Sequence, residues 1–444
     1  MDVYIERVVD LTKSTDNELY NLTPEAVKSI LLDQPATAMR DVEGSFALLA
    51  RSGKTVRMAR SLDRPMRYFL AKRTEGPVLI VAARIDEIFV WLKSEGLEGQ
   101  FHPSYTRMVP AHHVTEIQLV GCPDPDPIYT RFFTPPMGTL PPDLDVIGHQ
   151  YISALAEEID RWIVHIPQDE PIGVCFSGGV DSGSVFLTTY HVMKQRGLSL
   201  SRLKAFVLNL GSGDTGVGPD VVQAREFLES AGLGLFLEII DASPSQIDHR
   251  ETIGVVEDYK ALDVESASMA LALCKGIRER YPEWHVLIDG DGGDENLKDY
   301  PIEENPELTI RSVVNNQMLY QEGWGVGKIK HSLTYSGGLS RSYTRTYAPA
   351  HRYGFRGFSP FTRPNVIAVA EAIPFIQLTG YNVERLYQLK GEIVSRGIAA
   401  VTNIKMRVFD KRRFQHGAIP AEAMRQRLPL KESDYRKYFL AQYL

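Results

Sequence analysis

The sequence predicts an α/β protein: a smaller α+β segment, then a parallel, doubly wound sheet with a mostly helical C-terminal part. Three observations lead there. Between about residues 146 and 288, apolar strand-like runs alternate with helix-patterned ones, the order that yields parallel βαβ units. Up to about residue 121 the apolar runs are short and bounded by Gly, Lys and Arg. A proline-rich stretch, 122–145, stiff and poor at forming helix or sheet, separates the two parts. The expected organisation is therefore 1–121, a linker over 122–145, and a main domain over 146–444.

In the first part, 46–50, 56–59 and 78–82 read as strands. A short helix is expected over 24–32, with Thr23 as N-cap and Pro24 in the first position. In the main domain, Ile147, Tyr151, Leu155, Ile159 and Ile163 recur at helical spacing over 146–164. Strands follow at 171–176, 204–210, 234–240 and 285–288, alternating with helices at 181–196, 221–231 and 266–281. Ligands of such a sheet bind beyond the carboxyl ends of its strands.

Charge and cysteine content narrow the function. A net charge of −7 argues against broad binding to nucleic acid or anionic membranes. Three scattered cysteines, Cys122, Cys175 and Cys274, are too few for a disulfide framework or zinc cluster. Neither a secretory leader nor an eighteen-residue apolar run is found. The expectation is a cytoplasmic protein without nucleic-acid or membrane partners, and a homodimer through exposed strands of the first part is an option.

The most informative loop is Ser177-Gly178-Gly179-Val180-Asp181-Ser182, between a buried strand and a helix. Glycines let backbone approach a phosphate, and the helix start offers unpaired N–H groups. Ser177 and Ser182 add hydroxyls. Asp181 would repel a bare phosphate and so implies magnesium between carboxylate and phosphates. No Gly-Lys-Ser/Thr pattern occurs, so this is not the common P-loop.

The hexapeptide resembles the pyrophosphate loop of the ATP pyrophosphatase superfamily, whose members cleave ATP between the α and β phosphates. Leu287-Ile-Asp-Gly-Asp-Gly-Gly-Asp-Glu295 resembles the Ser-Gly-Glu-Gly-Ser/Ala-Asp-Glu segment of asparagine synthetases. Tyr353-Gly-Phe-Arg-Gly-Phe-Ser-Pro-Phe361 is similar to their Gly-x-Glu-x-Arg-x-Pro-Phe-Leu-Asp stretch, with Gly354, Pro360 and Phe361 matching. Residues 42–47, 60–68 and 79–88 follow, in order, the later half of that family's glutamine amidotransferase domain, an N-terminal-nucleophile hydrolase. From about 42 to 405 the chain thus looks like the asparagine synthetase superfamily, which also holds β-lactam synthetases and lasso-peptide cyclases.

The resemblance implies a degenerate N-terminal-nucleophile-like α+β domain followed by an ATP-pyrophosphatase domain. It implies ATP and Mg2+ as cofactors, with pyrophosphate on Ser177, Gly178, Gly179, Asp181 and Ser182. The metal falls to Asp181 and Asp294, and adenine to Val207, Leu208 and Gly290. Asp291 is the candidate acid/base and Tyr347 its partner, a packing residue being the alternative for the latter. Lys390 is the candidate for stabilising pyrophosphate, with Lys405 in reserve. Departures are informative. Residue 2 is Asp where the family glutaminase has cysteine, so no glutamine hydrolysis is expected. Arg356, Phe358 and Arg363 replace the family Glu, Arg and Asp, suggesting a substrate other than aspartate, and the two arginines would suit an anion.

The implied function is an AMP-forming carbon–nitrogen ligase that adenylates a small-molecule or peptide carboxylate and passes the acyl group to ammonia or an amine. Intramolecular closure to a lactam or macrolactam is the enzymatic alternative, and an ATP-binding regulator with a dead site the non-enzymatic one.

Overall fold

The computed structural model describes residues 6–120, 126–211, 217–304, 308–322, 343–409, 428–429 and 431–444. Asp2 lies outside them. The chain forms two compact units. One comprises Met1–Thr134, Gln321–Tyr343 and Lys437–Leu444, the other Pro135–Tyr320 and Thr344–Arg436.

The first unit holds strands β1 (Arg7–Asp10), β2 (Glu18–Leu19), β3 (Gly44–Ser45), β4 (Ala47–Ser52), β5 (Thr55–Arg60), β6 (Arg67–Arg73), β7 (Gly76–Ala82), β8 (Arg107–Met108), β9 (His113–Gln118) and β10 (Ile128–Arg131), with helices α1 (Pro24–Asp33) and α2 (Ile85–Ser94). Two four-stranded sheets form, β1-β7-β6-β8 and β10-β9-β5-β4. Strand alternation sends Leu49, Val56, Met58, Tyr68, Leu79 and Val81 into one core shared by both sheets. The opposite faces of β6 and β7 bury Phe69, Val78 and Ile80 against Ile88 and Leu92 of α2. Helix α1 begins where expected, Thr23 Oγ1 accepting from the Ala26 N–H at 3.2 Å.

The expected linker needs correction. Residues 128–131 form β10, paired antiparallel with β9 from Ile128↔Glu116 to Arg131↔His113. Prolines end at Pro127 and resume at Pro135, and the Ile-Tyr-Thr-Arg run between them has free N–H groups and β-prone side chains.

The second unit carries helices α3 (Leu144–Ile163), α4 (Val180–Gln195), α5 (Pro219–Ser230), α6 (His249–Val256), α7 (Ala261–Arg280) and α8 (Gly293–Leu297), and strands β11 (Ile172–Cys175), β12 (Leu203–Asn209), β13 (Leu237–Asp241), β14 (Val286–Ile288) and β15 (Arg356–Phe358). The sheet runs β13-β12-β11-β14-β15 and every pairing is parallel. All four expected strands are present. The fifth, β15, lies inside Tyr353–Phe361, where Gly354 and Gly357 mask its three residues from a propensity reading. Among the described residues no helix is long and apolar enough to cross a membrane.

The later helix Val383–Thr402 crosses α3 at very short range. A Cβ on Gly148 would stand 2.5 Å from the Ile393 carbonyl oxygen and 2.8 Å from the Gly397 nitrogen. Leu386, Leu389, Lys390, Ile393, Val394, Gly397 and Ile398 line its buried face at helical spacing. Lys390 therefore enters the domain by the same periodicity that buries its apolar neighbours.

Candidate active site

The loop after β11 folds tightly against α5 and the start of α4, a shape that suits an anion. Gly178 has φ +72°, and a Cβ there would stand 2.8 Å from both Cα and N of Ala224, so this position admits only glycine. Gly179 caps α4. Ser182 Oγ accepts from the Ser177 N–H at 3.1 Å and lies 3.2 Å from Ser177 Oγ, which in turn accepts from the Gly179 N–H at 3.3 Å. Gln223 of α5 donates to the Ser177 carbonyl at 3.2 Å. The first turn of α4 thus meets a pre-shaped loop, with its dipole directed at the loop's mouth.

The acidic turn after β14 closes on that loop. A Cβ on Gly290 would stand 2.8 Å from the Ser182 nitrogen, and one on Gly293 would collide with the Asp181 carboxylate. Both glycines let the two loops touch. Asp289 is buried; it accepts from Ser359 Oγ at 2.8 and 3.0 Å and from the Asp291 N–H at 3.0 Å. Asn296 donates to the Phe361 carbonyl at 2.9 Å.

Lys390 joins the loops. Its ammonium donates to Asp181 Oδ2 at 2.5 Å, contacts Asp294 Oδ1, and lies 3.5 Å from Asp299 Oδ2. Only 6% of its side chain is exposed. Burial works against the ammonium, but the three carboxylates outweigh it and hold Lys390 well above the usual lysine range. The Asp181–Asp294 pair fits magnesium in donor chemistry: two hard carboxylates facing one cation. Among the described residues no group of three or more metal-binding side chains gathers. A magnesium ion here would rest on two carboxylates and complete its shell with phosphate oxygens and water, as it commonly does.

Asp291 stands beside this cluster. Its Oδ2 is closed off from solvent and accepts no hydrogen bond. Burial pushes its carboxyl up to about 7 against the pull of Arg345 and the Thr346 hydroxyl, while Glu295 and Asp181 add to the rise. Arg345 belongs to a π-helical turn, Tyr343–Tyr347, and lies 3.4 Å from Asp263 Oδ1. Tyr347 does not supply Asp291's contacts. Its ring stacks on His351 at 6.2 Å and would meet a Cβ on Gly357 at 3.3 Å. The groups facing Asp291 come from one and two residues earlier, Thr346 and Arg345. Sequence reading missed both, together with Asp299 and the Tyr300 hydroxyl that donates to Glu295 at 2.5 Å; the acidic run after Gly290 was the signal for the last two.

Other expected residues fall differently. Val207 and Leu208 on β12 are buried, Leu208 in a core with Met269, Leu273 and Ile277; their side chains fill the sheet's faces, and an adenine beside them would meet backbone. Arg363 is buried with its guanidinium 4.8 Å over Phe358, which also stacks on Trp162 at 4.5 Å. Arg356 is exposed on the edge strand. Lys405 lies past the left-handed end of the helix at Asn403 and makes no ion pair among the described residues.

Fold and site define an α/β domain with a glycine-serine loop at the start of a helix and a carboxylate–lysine centre beside it. Residues 156–353 match the family model of asparagine synthase, which supports the asparagine synthetase superfamily for this part of the chain; members of that family are ATP-dependent ligases. The match takes in the Ser177 loop, the Asp289–Glu295 turn and Arg345, and ends before Lys390. No curated protein matches the chain.

Proposed function

We propose that the protein is an AMP-forming ligase that activates a substrate carboxylate with ATP and transfers the acyl group to ammonia or an amine. The observation that carries this reading is the junction of the Ser177 loop, Asp181, Asp294 and Lys390 at the carboxyl ends of β11 and β14. A substrate carboxylate oxygen attacks the α-phosphorus, and the bond from that phosphorus to the β-bridging oxygen breaks. Ser177, Gly178, Gly179 and Ser182 bind the departing pyrophosphate. Lys390 stabilises the charge that grows on it. A magnesium ion held by Asp181 and Asp294 would supply further neutralisation of phosphate charge. The amine then attacks the acyl carbon, AMP leaves with the acyl–oxygen bond, and the amine's proton passes to Asp291. A carboxyl raised to about 7 suits that task near neutral pH.

We take the nitrogen to come from a free amine or ammonia rather than from glutamine. Within the stretch resembling the amidotransferase, Arg60 is fully buried and donates to the carbonyls of Val109, Ser61, Leu62 and Arg64. Asp63 accepts from Ser45 and Ser61, each at 2.6 Å. These polar groups serve the fold of the unit.

Incubation with ATP, magnesium and a panel of carboxylates and amines tests the reading. AMP and pyrophosphate appearing only with a carboxylate are expected. ADP and phosphate, or glutamate released from glutamine, would overturn the corresponding half of the proposal.

A further inference from the structure

Lys390 faces three carboxylates, Asp181, Asp294 and Asp299. With one ammonium and three carboxylates ionised, these four groups carry a net charge of −2, the complement of one divalent cation. The ammonium's two closest partners are the two residues read above as metal ligands, and a metal ion cannot share those oxygens with an ammonium without strong like-charge repulsion. The third partner, Asp299 Oδ2, stands only 1.0 Å farther from the nitrogen than Asp181 Oδ2, at 3.5 against 2.5 Å.

Asp299 is well fixed for a receiving role. It follows Lys298, which ends α8 at φ +58°, and its N–H donates to the Asp294 carbonyl at 3.0 Å. Its side chain is 8% exposed, so its carboxylate requires a nearby countercharge. Lys390 has little other freedom, because its helix is locked against α3 through Gly148 and Gly397.

We infer that Lys390 acts as an internal counter-ion of the metal-holding carboxylates, and that its ammonium shifts onto Asp299 when Asp181 and Asp294 turn to a divalent cation. Asp299 is thus a positioning residue: it keeps Lys390 beside the pyrophosphate loop while the metal ligands are engaged. The inference rests on the reading of Asp181 and Asp294 as the metal pair.

The test uses the full chain, Mg2+ alone by titration calorimetry, and Mn2+ by electron paramagnetic resonance, so no substrate is needed. Lys390→Met removes the competing cation and is expected to tighten Mg2+ binding about tenfold or more; unchanged or weaker binding overturns the inference. Asp299→Asn is expected to weaken Mg2+ binding about tenfold when Lys390 is present, and less than about threefold in the Lys390→Met background. Equal weakening in both backgrounds would mean that Asp299 acts on the cation directly, and overturns the positioning role. Asp299→Glu should restore most of the lost affinity, and failure to do so counts against it. Should Lys390→Met fail to fold, Lys390→Gln takes its place in the same comparison. The doubly substituted Asp181→Asn/Asp294→Asn protein separates the two ideas: undiminished Mg2+ binding there sinks the metal-pair reading itself, whatever Lys390 does.

Discussion

Gly178→Ala offers a test that depends on no substrate. Two costs add. The alanine must hold φ near +72°, which costs an L-residue roughly 1–2 kcal/mol. Its methyl would also stand 2.8 Å from Cα and N of Ala224. Those are backbone atoms of α5, so relief requires the loop and helix to part, at about 1–3 kcal/mol. The sum is about 2–5 kcal/mol, equivalent to a fall of roughly 3–9 °C in the unfolding temperature of the unit that carries the loop. Gly179→Ala is the control. Its backbone lies at φ −76°, and the nearest atom to an added Cβ is Ser177 Oγ, at 3.3 Å. It should melt within about 1 kcal/mol of the parent, while both variants weaken binding of a non-hydrolysable ATP analogue with magnesium. Differential scanning calorimetry and analogue titration decide. Equal melting of Gly178→Ala and the parent would refute the close approach of loop and α5. Unimpaired analogue binding by both would refute phosphate binding at the loop.

Two further outcomes follow. A carboxyl held in the folded protein up to about 7 binds its proton more tightly folded than unfolded, so its contribution is present at low pH and is lost as pH rises towards and through 7; Asp291→Asn should therefore gain stability relative to the parent at pH 8 more than at pH 4, and a difference that does not change with pH would contradict the burial of this carboxyl. Gly397→Ala should destabilise by about 2 kcal/mol or more, since its methyl would collide with the Gly148 carbonyl and meet Ile152, and thermal melting unchanged from the parent would show that α3 and the Lys390 helix are not so closely crossed.

Much of the main sheet was legible because parallel strands are buried on both faces and read as continuous apolar runs. The segments predicted at 171–176 and 204–210 became Ile172–Cys175 and Leu203–Asn209. Strand β15 was illegible: three residues with a glycine in the middle carry no periodicity, and only the pairing with β14, Val286↔Arg356 to Ile288↔Phe358, makes them a strand. In the first unit, 46–50, 56–59 and 78–82 were found, but β1, β2, β3, β6, β8, β9 and β10 were not; those of the two four-stranded sheets acquire an inside and an outside only when the sheets face each other.

The site divides in the same way. Local spacing sufficed for the Ser177 loop and the Asp289–Glu295 turn, since strand, glycines and helix start are consecutive in the chain and impose the loop's conformation by themselves. Lys390 was a nomination among many lysines until a helix crossing α3 placed its ammonium against Asp181 and Asp294. Arg345 and Thr346, from the π-helical turn Tyr343–Tyr347, act on Asp291, and counting back along the sequence from Gly354 does not reach them. Arg363, read from sequence as suited to an anion, is buried with its guanidinium over Phe358. By itself the sequence determined a glycine-serine loop, an acidic turn and a parallel sheet to carry them, because each depends on neighbours in the chain. Only the tertiary structure decided which distant charges meet there, because ion pairs between residues 209 and 96 positions apart, as Lys390 makes with Asp181 and Asp294, are set by helix packing and by the burial that brings those charges together.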